Sequence, residues 1–257
     1  DTDKLEKALS VLNQSSNPII VIGGGAQDYG NEIKQMSDGL SAPVVIFRNG
    51  QGVIDGSSDL SVTLPAGREL WGKCDVVLAL GTRCQTAQMQ WGVDDKMQII
   101  HVDIDEEEIG RITEPSFGIN ADLKDVLPLL LKGIEGKEKN RNDWLEVVKN
   151  TKHKYAKLFE EKLSPQLAWL NAIRAELPKD GIFVDELTQV GYVSRFAFQS
   201  YLPRTFLSTG YQGTLGWGFA SALGAAHARR DVPVVSISGD GGALYTISEL
   251  ATASRHN

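Results

Sequence analysis

The sequence predicts an α/β fold: a doubly wound parallel sheet forming one domain, followed by an incomplete second α/β domain. Three observations carry that expectation. Short, continuous, β-branched runs such as Ile19-Ile20-Val21-Ile22 and Val76-Val77-Leu78-Ala79-Leu80 lead into glycine or aspartate, as parallel strands buried on both faces do. Stretches with helical spacing separate them, which is the alternation that builds an open parallel sheet. Glycine is in excess, 26 in 257 residues, about a tenth of the chain against a usual ~7%. It clusters at 23–25, 210–218 and 239–242 without a period. Such clusters mark places where the backbone must come close to something.

Taken in order, Leu5, Ala8, Leu9 and Leu12 recur at helical spacing before a strand, Pro18-Ile19-Ile20-Val21-Ile22, that runs into Gly23-Gly24-Gly25. A helical stretch over 33–40 leads to Pro43-Val44-Val45-Ile46-Phe47, and 75–81 and 98–103 supply two further strands. These belong to a central domain over 1–140, whose strand order the pattern does not fix. Residues 132–140 are polar and glycine-bearing, as a surface linker is. Over 141–163, Trp144, Leu145, Val148, Tyr155, Leu158 and Phe159 form one apolar stripe, which predicts a linker helix. Ser164-Pro165 opens the second domain, 164–257, with a helix over 166–177 and a strand over 182–185. A glycine-rich segment, a helix and the strand Val232 to Ser238 follow. The last residues read as a helix closing at Asn257 with no strand after it, so the second domain is expected to be truncated.

Composition narrows the function classes. Lys and Arg number 26 against 33 Asp and Glu, a net charge of −7, which argues against a broad nucleic-acid-binding face. Cys74 and Cys84 cannot staple a chain of this size and offer no zinc pattern; they are expected to be reduced thiols. No apolar run approaches the ~18 residues of a membrane span, and the first residues lack signal-peptide character. A cytoplasmic protein without membrane or nucleic-acid partners is expected. His101 falls in a buried strand and reads as a core residue, while His153, His227 and His256 have no metal or triad spacing. Trp71, Trp91, Trp144, Trp169 and Trp217 read as core or interface anchors.

The sharpest motif is Val234-Val235-Ser236-Ile237-Ser238-Gly239-Asp240-Gly241-Gly242-Ala243. A strand delivers Asp240 to its carboxyl end, where open α/β sheets bind ligands. Flanking glycines let the backbone approach an anion, and the following helix aims free N–H groups at it. A lone acid beside a diphosphate suits Mg²⁺, which takes one or two protein ligands and phosphate oxygens. Gly-Asp-Gly alone is equally an ordinary turn, so its flanks decide. Ser208-Thr209-Gly210-Tyr211-Gln212-Gly213-Thr214-Leu215-Gly216-Trp217-Gly218 precedes a helix of small residues over 221–228, and Glu249-Leu250-Ala251-Thr252-Ala253 follows the aspartate.

Together these segments resemble the diphosphate-binding domain of thiamine diphosphate enzymes, in the group of acetolactate synthase, pyruvate oxidase and benzoylformate decarboxylase. The likeness extends back through Val184-Asp185-Glu186 and Ser164-Pro165. Residues 18–25, 42–44, 74–83 and 100–105 resemble the central domain of the same group, so most of the chain is covered.

By position, the resemblance implies Asp240 as a Mg²⁺ ligand, with Gly239, Gly241, Gly242 and Ala243 around the diphosphate. Relatives often carry Ser where Gly242 stands. Leu215, with Gly213 and Thr214 before it, falls where the family places the bulky apolar residue that bends the cofactor; acetolactate synthases have Met there. Gln189, Gly191 and Tyr192 fall near the family's other diphosphate-contacting loop, or form an ordinary strand-to-helix turn. The family's second Mg²⁺ ligand, an Asn beyond the next strand, is not assigned to Asn257. Its activating glutamate belongs to an N-terminal domain with no counterpart here. Glu106-Glu107-Glu108 reads as a solvated helix start and Glu249 as a supporting residue, so the chain is expected to hold an incomplete active site.

The resemblance implies a full-length enzyme working on 2-oxo acids as a homo-oligomer, dimer or tetramer, with acetolactate synthase-like carboligation. A non-oxidative decarboxylase and a non-catalytic nucleotide-binding module are the alternatives. Some relatives hold FAD in the central domain. Here Gly23-Gly24-Gly25, Gly81-Thr82-Arg83 and Asp103-Ile104-Asp105 could line such a site, but G-x-G-x-x-G spacing is missing, and Leu64-Pro65-Ala66-Gly67-Arg68 stands where FAD-binding relatives have Gly-Met-His-Gly. The expectation favours a central domain without FAD.

Overall fold

Six apolar runs pair side by side, all in parallel, as one sheet in the computed structural model, which describes residues 2–137, 139–210 and 212–256. Tyr211 of the glycine-rich segment and Asn257 lie outside the described residues. The strands are β1 (Pro18–Ile22), β2 (Val44–Ile46), β3 (Ser61–Val62), β4 (Val76–Leu80), β5 (Gln98–Asp103) and β6 (Phe117–Asn120), in the order β3-β2-β1-β4-β5-β6. β1 is central, with Ile20 registered on Val44 on one side and Leu78 on the other. The order reverses between β1 and β4, the switch point at which such sheets open a crevice beyond their carboxyl ends.

Alternation along each strand divides the core into two layers. Ile20, Ile22, Leu78 and Leu80 pack under the helices α1 (Thr2–Gln14), α2 (Gly30–Leu40) and α4 (Leu123–Ile134). Ile19, Val21, Val77 and Ala79 pack with α3 (Leu64–Trp71) and with Trp144 and Val148 of α5 (Asn142–Glu176). Trp144 also donates its indole N–H to the Pro18 carbonyl at 3.0 Å. His101 lies in this core, 1% exposed, its Nε2 donating to the Thr82 carbonyl at 2.8 Å. Both cysteines are free, and burial pushes the Cys84 thiol up to about 12.

A second parallel sheet, β8-β7-β9, is formed by β7 (Ile182–Val184), β8 (Phe206–Leu207) and β9 (Val234–Ser236). Around it lie α6 (Gln189–Ala197), α7 (Trp217–Ala228), α8 (Asp240–Thr246) and α9 (Leu250–His256). Its core is aromatic: Phe183 is fully buried, with ring centroids 4.2 Å from Phe198 and 5.7 Å from Phe206.

The linker helix and the helix expected after Ser164-Pro165 are one element. α5 runs through both, bent where Leu163 adopts non-helical φ −128°, ψ 19°. Pro165 removes an N–H from the ladder and crowds the preceding turn, so the helix bends there without ending. Its first half serves the large sheet through Trp144 and Val148, its second half the small sheet through Leu170. The loop after β2 completes the join. Gln51 donates to the Arg195 carbonyl at 2.7 Å and accepts from Ser200, while Gly56 N–H donates to the Ser200 carbonyl at 2.9 Å. No helix among the described residues is long and apolar enough to cross a membrane.

Candidate functional site

Each sheet places glycine turns beyond the carboxyl ends of its strands. In the large sheet, the turns after β1 and β4 meet. Gly25 N–H donates to the Gly81 carbonyl at 3.0 Å. A side chain on Gly25 would put its Cβ 2.9 Å from Gly81 Cα, and Gly81 itself sits at φ +55°. Beside them opens a cavity of about 760 Å³ lined by Gly24, Arg48, Arg83, Asp103 and Asp122, among others. Arg83 pairs with Glu108 at 3.4 Å, and Glu108 also pairs with Arg111, while Glu106 and Glu107 face solvent as expected of a solvated turn.

In the small sheet, β9 runs into Gly239, which precedes α8; Ala243 N–H closes the first turn on the Gly239 carbonyl at 2.8 Å. Asp240 and Gly241 are exposed, Gly242 is buried and Ala243 half-buried. A Cβ on Gly241 would meet nothing among the described residues within 4 Å, so they leave the space over this turn open. Gly239 faces the neighbouring turn, its Cβ position 3.4 Å from the Thr188 methyl.

That neighbouring turn follows β7 and carries two fully buried acids. Asp185 accepts from Arg195 Nε at 2.8 Å and from Ser208 Oγ at 3.1 Å. Burial pushes its carboxyl above the ordinary carboxylate range, against the opposing pull of Arg195. Glu186 accepts a hydrogen bond from Gly216 N–H, and its Oε2 has no partner among the described residues. Gly216, at φ +85°, is the residue before α7; its carbonyl accepts from Thr246 Oγ1 at 3.1 Å. Next to it Leu215 is 48% exposed, with Thr214 and Gly213 exposed before it and Gly213 lying over Leu187.

The structure therefore gathers Gly239, Asp240, Gly241, Gly242 and Ala243 at one turn and ties Gly213, Thr214 and Leu215 to it through Glu186 and Thr246. Gln189, Gly191 and Tyr192 fall in α6, which follows the turn carrying Glu186 and Thr188. The Gln189 side chain accepts from Gln166 at 3.2 Å. Gly191 N–H is taken by Thr188 Oγ1 at 2.8 Å, and Gly191 packs on the Glu186 carbonyl. Tyr192 is exposed, with the Arg195 guanidinium 5.2 Å from its ring centre. Thr188, not singled out from sequence, is what faces Gly239. Glu186, quoted from sequence only within Val184-Asp185-Glu186, was not singled out as a site residue, although two consecutive acids at the end of an apolar strand are an unusual pattern for buried positions. Glu249 is exposed and accepts from Thr252 Oγ1 at 2.7 Å. Among the described residues no group of three or more His, Cys, Asp or Glu could hold a metal.

Two parallel α/β units, the second ending a strand at an exposed aspartate flanked by glycines, place glycine turns beyond the carboxyl ends of their strands, where sheets of this kind open a crevice. Comparison with known families agrees. The thiamine pyrophosphate enzyme central domain matches residues 5–130, and the thiamine pyrophosphate enzyme C-terminal TPP binding domain matches residues 188–257. The chain belongs to the thiamine pyrophosphate enzyme family.

Its relatives include the "Probable acetolactate synthase large subunit" of Methanocaldococcus jannaschii, 30% identical over 99% of this chain and 46% of the relative. The "Acetolactate synthase isozyme 1 large subunit" of Escherichia coli K12 is 26% identical over 99% of this chain and 47% of its own length. The "Probable 2-ketoarginine decarboxylase AruI" of Pseudomonas aeruginosa is 29% identical over 98% of this chain and 46% of its own. The chain thus spans under half the length of these curated relatives.

Proposed function

We propose that this chain carries the diphosphate-holding part of a Mg²⁺- and thiamine diphosphate-dependent enzyme acting on 2-oxo acids, with acetolactate synthase-like carboligation as its reaction. One observation carries the proposal: within the segment similar to the TPP binding domain, the Asp240 carboxylate stands exposed at the carboxyl end of β9 beside open space at Gly241. The donor set fits the group. A hard carboxylate oxygen suits Mg²⁺, and the N–H groups in the first turn of α8 suit phosphate oxygens.

When bound, the cofactor supplies a nucleophilic carbon able to attack a keto group and to hold the electrons left by decarboxylation. Asp240 holds the cation. Gly239, Gly241, Gly242 and Ala243 present backbone to the diphosphate, with Thr188 as the neighbouring wall. Leu215, exposed at a turn fixed on both sides, would offer an apolar surface to the cofactor, with Gly213 and Thr214 leaving room beside it. Gln189 and Tyr192 are exposed at the start of α6, next to that wall. The activating glutamate and the second cation ligand belong to parts of the full-length enzyme outside these 257 residues. The full-length enzyme is read as a cytoplasmic homo-oligomer, dimer or tetramer.

Likeness to a relative named as a decarboxylase supports the second reading, decarboxylation without ligation. Supplying pyruvate and identifying the product separates the two, acetolactate marking the first and free aldehyde the second. The central crevice is read as free of FAD, because G-x-G-x-x-G spacing is missing and Leu64-Pro65-Ala66-Gly67-Arg68 stands where FAD-binding relatives have Gly-Met-His-Gly; a flavin absorbance band in the purified protein would overturn this. Calorimetry of the full-length gene product with thiamine diphosphate and Mg²⁺ tests the main proposal. Binding that Asp240→Ala abolishes is expected, and equal binding by both proteins would sink it.

A further inference from the structure

At Gly242 the structure shows what occupies the space that a side chain would need. A Cβ at residue 242 would lie 2.9 Å from Glu186 Cδ and 3.2 Å from Oε2, inside van der Waals contact. Gly218, in the first turn of α7, is under the same constraint: its Cβ would lie 2.8 Å from Glu186 Oε2 and 2.9 Å from Glu186 Cβ. Two glycines from two helices thus enclose one carboxyl group. That group is fully buried, it holds the N–H of Gly216, and its second oxygen has no partner among the described residues. A buried carboxylate with an unmade hydrogen bond is costly and persists only where the surroundings over-determine it. Here the N-terminal end of α7, a twelve-residue helix, favours negative charge.

We propose that Glu186 is the positioning residue of the cofactor cradle, and that its carboxyl group is the reason residue 242 is glycine. This rests on the function proposed above. Glu186 leaves β7 and reaches three segments at once: the Gly216 turn that presents Leu215, the first turn of α7, and the first turn of α8 that follows Asp240. Thr246 grips the carbonyl of Gly216 from α8 while Glu186 grips its N–H. The turn bearing Leu215 is thereby referenced from both sides to the turn bearing Asp240. Glu186 contacts no substrate in this account; it sets the spacing between the apolar support and the cation-binding carboxylate. Removing the carboxyl group frees the Gly216 N–H and opens a space that a serine at 242 would fill, so the two positions compensate.

The test is a double-mutant cycle on the full-length gene product, read by calorimetric titration with thiamine diphosphate and Mg²⁺ and by thermal unfolding without cofactor. Gly242→Ser and Glu186→Ala are each expected to weaken cofactor binding by about tenfold or more, while the double variant returns to within about threefold of wild type. Glu186→Gln, which keeps the shape and an acceptor for Gly216, should bind nearly as wild type does. Losses that simply multiply in the double variant overturn the proposal. So do single variants that lower the unfolding temperature but leave cofactor affinity unchanged, because Glu186 would then be structural only. Should Glu186→Ala fail to fold, the decisive pair is Gly242→Ser and the double variant: a double variant binding no better than Gly242→Ser overturns the proposal. Wild-type protein that does not bind the cofactor removes the functional proposal and this one with it, whereas binding lost in Asp240→Ala alongside uncoupled Glu186 and Gly242 effects removes only this one.

Discussion

The two glycine clusters at the ends of the two sheets answer to different neighbours. In the large sheet glycine meets glycine: the Gly25 and Gly81 backbones touch, and neither tolerates a Cβ. In the small sheet glycine meets a side chain, the enclosed carboxyl group of Glu186. The first arrangement closes a strand junction and depends on nothing replaceable. The second depends on one residue that can be changed. A glycine excess in a sequence therefore carries two meanings, and only the neighbour tells them apart.

The largest expected effect comes from breaking the first arrangement. Gly81→Val combines positive φ with backbone on every side and should destabilise the protein by about 3 kcal/mol or more in urea unfolding. No second substitution should restore it, in contrast to the compensation expected between 242 and 186; a rescuing partner would erase the distinction. Next, Phe183→Ala should cost about 3–5 kcal/mol, since its ring stacks on Phe198 and lies beside Phe206. Hydrogen exchange should place that loss in the small-sheet region while β1 and β4 keep their protection.

A smaller effect concerns the acid beside Glu186. Burial raises the carboxyl of Asp185, so the native state holds its proton more readily than the unfolded chain. Stability is therefore lost as pH rises through that raised value. Asp185→Asn lacks this loss, so its unfolding free energy relative to wild type should improve from acid to neutral pH; a flat difference would count against it. The smallest effect serves as a surface control. Asp231, paired with Arg229 at 2.7 Å, has its carboxyl held down to about 2, chiefly by that hydrogen bond. Any stability it contributes is present above the ordinary carboxylate range and lost as pH falls through that value. NMR titration should find this midpoint and see it rise in Arg229→Gln.

The long apolar strands β1, β4 and β5 were legible because burial on both faces leaves an uninterrupted β-branched run. β3, β6 and β8 were not. Ser61-Val62, Phe117-Gly118-Ile119-Asn120 and Phe206-Leu207 are too short or too mixed to carry a pattern, and they pair only because a neighbouring strand templates them. Asp240 and its glycines were legible as a motif. Thr188 and Glu186 were not, because their roles depend on which turn lies beside which, and neighbouring turns belong to strands fifty residues apart in sequence (β7 and β9). α5 misled in the opposite direction: Ser164-Pro165 reads as a stop, yet packing on both sheets carries the helix through it.

That bend has a consequence for measurement. Half of α5 is embedded in each sheet's core, so a tilt of one sheet against the other must appear as a change of angle at Leu163. A pair of distance probes on the two arms of this one helix would read any such tilt as a length.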